Sequence, residues 1–153
     1  MNNEEIEQII REYITKIPHM SLAASSNNRP WVCEVHFAYD VDLNLYFVSK
    51  EATRHCQEIA ENPYVAGNIV KQHSLSESPN GIYFEGVAEA IEATKLDVER
   101  YCTALNRETA ELASRLQKPE GYRMYKIRVN KWAVFGNFDS KGNAKYELEW
   151  GRM

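Results

Sequence analysis

Five side chains within a stretch of seven residues, Ser49, Lys50, Thr53, Arg54 and His55, carry the hydroxyls and cations that suit a phosphate group. They sit in Val48-Ser49-Lys50-Glu51-Ala52-Thr53-Arg54-His55, where an apolar run gives way to a helical pattern. The start of a helix leaves backbone N–H groups unpaired and carries a partial positive charge, so it is a natural seat for an anion. Arg54 is a better phosphate partner than Lys50, because its planar fork donates two parallel hydrogen bonds to one group. The same residues also make an ordinary capped helix whose charges face water. From the residues alone, both readings stay open.

Two strands and a helix must position this cluster. Pro30 to Tyr39 places Trp31, Cys33, Val35 and Phe37 on one side and Val32, Glu34, His36 and Ala38 on the other, the period of a strand. Asp40, Asp42 and Asn44 supply turn chemistry, and Leu45 to Ser49 (LYFVS) is a second apolar run, so the spacing predicts a hairpin. A helix is expected to open at Glu51-Ala52-Thr53-Arg54. Ala52, Cys56, Ile59 and Ala60 form its apolar stripe, and Asn62-Pro63 closes it.

The order RPWV, FAYD, LYFVS, TRH and NP resembles the FMN-binding split-barrel family related to pyridoxamine 5′-phosphate oxidase. A glycine-centred strand, Ile82 to Ile91, and a closing strand pair extend the likeness over about the whole chain. The resemblance implies an FMN cofactor whose phosphate is held by Ser49, Lys50, Thr53, Arg54 and His55. Its ring edge would meet the strand pair at Cys33, Glu34, Val35 and His36 and at Phe47, Val48 and Ser49. The family pattern also implies a homodimer with FMN at its interface, a small-molecule substrate, and NAD(P)H or oxygen as partner. Because the cofactor carries the hydride and electron chemistry, no catalytic side chain is nominated. A deazaflavin, haem, or a binding role without turnover are the alternatives on this fold, and the absence of histidine beyond His73 disfavours haem.

Three features depart from the oxidase pattern. Its Arg-Lys pair becomes Arg54-His55, which replaces a permanent cation with a group that titrates near neutrality. Trp31 to Glu34 lacks the arginine that opens the equivalent strand in true pyridoxamine phosphate oxidases, and the closing YELEWGRM lacks their Arg- and His-bearing segment. Pyridoxamine phosphate is therefore not the expected substrate. Zinc is not expected either: Cys33, His36, His55 and Cys56 lack ligand spacing, and Cys33 and His36 alternate onto opposite strand faces.

A length of 153 residues suits one domain with a full core. The net charge of −4 without a basic run argues against a nucleic-acid partner. No apolar run approaches the roughly 20 residues of a membrane helix, and MNNEEIEQ is acidic where a signal peptide would be basic. A cytoplasmic location away from membranes is expected. Cys33, Cys56 and Cys102 are odd in number and widely separated, so reduced thiols are expected.

Along the remaining chain, Glu4 to Ile17 carries a one-sided helical stripe ended by Pro18. Met20 to Ser25, Tyr64 to Val70, Ile82 to Ile91, Tyr122 to Val129, Lys131 to Phe138 and Ala144 to Trp150 read as strands. Gly67 marks a bulge or close approach, Lys71 to Gly81 a polar loop, and Thr94 to about Leu116 a helical region with a break near Asn106 and a stop at Pro119-Glu120-Gly121. Together these predict one domain over 1–153, mainly β with helices (α+β). The expected architecture is a six- to seven-stranded antiparallel split β-barrel flanked by two or three helices.

Overall fold

A computed structural model of the protein describes residues 1–71, 74–117 and 121–151. The elements in chain order are α1 (Asn3–Lys16), β1 (His19–Ser26), β2 (Arg29–His36), β3 (Ala38–Tyr39), β4 (Leu45–Lys50), α2 (Arg54–Glu61), β5 (Tyr64–Val70), β6 (Gly81–Ile91), α3 (Lys95–Leu105), α4 (Thr109–Gln117), β7 (Tyr122–Asn137) and β8 (Asn143–Glu149). Parts of the expected 71–81 loop and the Pro119-Glu120 stop lie outside the described residues, as do Arg152 and Met153.

The strand count among the described residues is eight, above the expected six or seven, and the helix count is four. The runs at 122–129 and 131–138 are one strand: Asn130 is the extra residue of a bulge in β7, opposite the Glu85–Gly86 step of β6, and pairing continues past it. Conversely, the run 30–39 is two strands. Phe37 N–H donates to Pro18 carbonyl instead of to a neighbouring strand, and there the chain passes from pairing with β1 to pairing with β4. Asn106 breaks the long helical region by adopting a left-handed conformation, φ 52°, as a C-cap.

All pairs are antiparallel in the order β2-β1-β5-β6-β7-β4-β3, with β8 also on β7. At 16 residues β7 has room for three partners: its first half pairs β4, its second half β8, and β6 runs along both. Trp132, Phe47, Leu22, Leu45, Ile82 and Ile127 fill the interior of the curled sheet, and Ile6, Ile10 and Ile14 of α1 close it. A second apolar layer joins Tyr46 and Met124 to Val98, Tyr101, Cys102 and Leu112, so α3 and α4 cover the outside of β4 and β7.

Gly67 is a site of close approach. A Cβ there would lie 2.4 Å from Phe84 Cζ and 2.5 Å from the Ser21 carbonyl oxygen, and the latter, being backbone, cannot swing aside. Gly67→Ala is expected to cost about 1–3 kcal/mol by overpacking, read as a lower urea midpoint; an unchanged midpoint would show that β1 and β6 are not so tightly apposed across β5.

Candidate cofactor site

The β3–β4 turn sets the frame of the site. The Asp40 carboxylate accepts hydrogen bonds from Asp42 N, Asn44 N, Asn44 Nδ2 and the Tyr46 hydroxyl at 2.8–3.0 Å. Burial opposes ionisation of Asp40, but these bonds outweigh it and hold its pKa below the usual value. The register fixed there gives β4 two faces. Phe47 is fully buried and stacks on Tyr125 with ring centroids 5.0 Å apart, and His55 lies 6.1 Å from the Phe47 ring. Ser49, two residues on, meets His55 Nε2 at 2.9 Å. Val48 packs instead toward α3 and α4, and Lys50 lies over the Tyr122 ring at 5.3 Å.

Helix α2 starts at Arg54, three residues after the expected opening, because Thr53 N–H closes a turn onto Lys50 carbonyl and makes Thr53 the N-cap. The Thr53 hydroxyl also donates to Lys50 carbonyl, at 2.7 Å, and no side chain caps the first turn. Helices α1 and α3 both carry full capping boxes. The N–H groups of Arg54, His55 and Cys56 therefore have no intrahelical partner. Arg54 is braced: Nε donates to Glu58 Oε1 at 3.0 Å, and the guanidinium lies 4.3 Å from the Trp31 ring centroid. Its terminal nitrogens are left available. One oxygen of the buried Glu58, Oε2, has no partner.

Of the expected phosphate-binding residues, Ser49 and His55 meet, Thr53 turns its hydroxyl to the Lys50 carbonyl, Arg54 is directed to Glu58 and Trp31, and Lys50 lies over Tyr122. Of the expected ring-edge strand, Cys33 and Val35 pack against the core and Glu34 and His36 are exposed on the outer face, the alternation read in the sequence. The free edge of β2, which pairs only with β1, lies near β4. Two contributors escaped sequence reading. Glu58 carried a signal, the four-residue spacing from Arg54 on one helix face; Trp31, from another element, carried none.

Burial lowers the pKa of His55 below 6.5, against a weaker opposing pull from Glu58, so at pH 7 the imidazole is neutral and adds no charge to the site. A group with a depressed folded-state pKa takes up protons first in the unfolded chain. Its contribution to stability is intact above about pH 6.5 and is lost as the pH falls toward the folded-state value. Acidification through that window should lower stability in the wild type and less so in His55→Gln; equal slopes in urea unfolding at several pH values would exclude His55. The Cys33 thiol is pushed up to about 11 by burial, with Cys56, Glu34 and Glu58 adding to it, so it is not a nucleophile at neutral pH. Cys33, Cys56 and Cys102 are all free, and among the described residues no three His, Cys, Asp or Glu groups are placed to hold a metal ion. No helix among them is long and apolar enough to cross a membrane.

An eight-stranded antiparallel sheet curled on itself and flanked by helices is the architecture of a split-barrel protein. The chain belongs to the pyridoxamine 5′-phosphate oxidase family, whose pattern matches residues 6–135. It is 30% identical over 105 residues to a UPF0306 protein of Photorhabdus laumondii, covering 67% of this chain and 73% of that one. Solved structures share the fold at lower identity. A heme binding protein from Mycobacterium smegmatis matches 97% of this chain and 59% of its own, with a TM-score of 0.74 and 16% identity. An FAD-binding protein from Mesorhizobium loti matches 82% and 89%, with a TM-score of 0.65 and 16% identity.

Proposed function

We propose that this protein is an FMN-binding flavoprotein, an oxidoreductase acting on a small organic molecule, with FMN at a homodimer interface. The observation that carries the reading is the uncapped first turn of α2, which opens at Arg54 and carries the His55 that meets Ser49. These groups fit a phosphomonoester: three backbone donors, a hydroxyl and one permanent cation held in place by Glu58 and Trp31. The unpaired edge of β2 fits the hydrogen-bonding rim of a flat ring, and family membership together with an FAD-binding protein of similar fold supports a flavin. When bound, FMN would supply the hydride and electron transfer. The chain's own part is to hold the phosphate through Ser49, Arg54 and the α2 turn and to shield the ring edge along β2.

Dimerisation is supported by apolar surface beside the open edge, where Trp31 and Val32 are 43% and 60% exposed. The substrate proposed is one without a phosphate, because Trp31 to Glu34 offers no arginine and Lys50 faces Tyr122. An anaerobic absorption spectrum tests the reading. Flavin bands retained after addition of FMN and desalting, and bleached by NADH or NADPH, are expected. A protein that stays colourless overturns it.

A further inference from the structure

The outer face of the β1–β2 hairpin carries a side-chain cluster that includes Glu34 and His36, from the strand whose backbone edge is proposed to meet the flavin ring. In this register His19 stands opposite His36 and Ser21 opposite Glu34, and directly opposed residues of an antiparallel pair project to the same side. The two imidazole rings have centroids 6.5 Å apart with planes at 80°. Glu34 Oε2 lies 3.0 Å from His19 Nδ1, and its other oxygen accepts the Ser21 hydroxyl. An ionised carboxylate can only accept, so Nδ1 carries the proton and the lone pair of neutral His19 is on Nε2.

We propose that His19 and His36 form a bis-imidazole site for a divalent transition ion of the zinc, nickel or copper type. Imidazole is the nitrogen ligand these ions favour. Glu34 would act behind the ion, since a carboxylate on the far nitrogen fixes the ring and raises its basicity, the usual support for a metal-bound histidine. Ser21 in turn holds Glu34. Two imidazoles sharing one ion must come closer than they stand here. The movement is accessible because the His19 and Glu34 side chains are each 57% exposed, and His36 is exposed with no hydrogen bond to restrain it. With two protein ligands, the ion keeps positions for water or an external ligand. The site uses outward-facing side chains of the hairpin, whereas the flavin reading uses the backbone edge of β2, so zinc uptake and flavin uptake are measured separately.

The test is calorimetric titration of the tag-free protein with zinc chloride at neutral pH. One zinc per chain is expected, with His19→Ala and His36→Ala each weakening binding at least ~10-fold and Glu34→Gln by ~10–100-fold. Imidazole nitrogen resonances of His19 and His36 should shift together in the wild type. No zinc uptake by the wild type, or uptake undiminished in both histidine variants, would overturn the assignment. Circular dichroism of the variants should match the wild type, because both rings stand on the surface.

Discussion

Trp132→Ala is expected to cost about 3–5 kcal/mol of stability, the usual range for emptying a large buried aromatic site. Trp132 is fully buried in the second half of β7, its ring 5.6 Å from that of Phe84. It lies where β6, β7 and β8 all meet, so neighbours held in three-way pairing cannot collapse into the space it leaves. The loss would take a large share of the roughly 5–15 kcal/mol that stabilises a domain. Trp132→Phe is the informative companion. It keeps most of the apolar volume and removes a buried Nε1–H that has no acceptor, so it should cost far less. Urea unfolding of both variants decides the matter; an alanine variant within about 1 kcal/mol of the wild type would show that the core is not built around this residue.

Arg54→Ala should weaken FMN binding by about 1.5–3 kcal/mol, or ~10–150-fold, if its outer nitrogens make a charge-assisted phosphate contact. The substitution has a second consequence. It strips the cation from Glu58, whose side chain is only 11% exposed, and a stranded buried carboxylate destabilises the helix by itself. The double variant Arg54→Ala/Glu58→Gln separates the effects. Its stability should recover while FMN affinity stays low. Affinity restored to the wild-type level in the double variant would mean that Arg54 serves Glu58 and not a phosphate.

What could be read from the sequence follows from how local each feature is. The 45–49 strand, the Asp40 turn and the strand-to-helix junction at Ser49 to His55 are each written in fewer than ten consecutive residues, and the structure has each of these elements. The opposite facing of Cys33 and Glu34 follows from strand alternation alone. Features that depend on register or docking were not legible. The bracing of Arg54 by Trp31 exists only because α2 lies on the β1–β2 hairpin, and the pairing of His19 with His36 requires knowing that the Asn27-Asn28 turn aligns them. Both asparagines there have positive φ, 53° and 60°, the geometry of a tight hairpin turn. Lys50 was grouped with Arg54 by proximity in sequence, whereas strand alternation sends it to the other face. The division of 122–138 into two runs falls at Asn130, which is the bulge residue of the single strand β7.

The proposed phosphate seat at the start of α2 is tested most directly by a fluorescence-quenching titration of the apoprotein with FMN and, in parallel, with riboflavin. The two share a ring and differ in the phosphate. FMN binding at least ~10-fold tighter than riboflavin, with Arg54→Ala removing most of the difference, is the predicted result. Equal affinities for the two, or no binding of either, would contradict it.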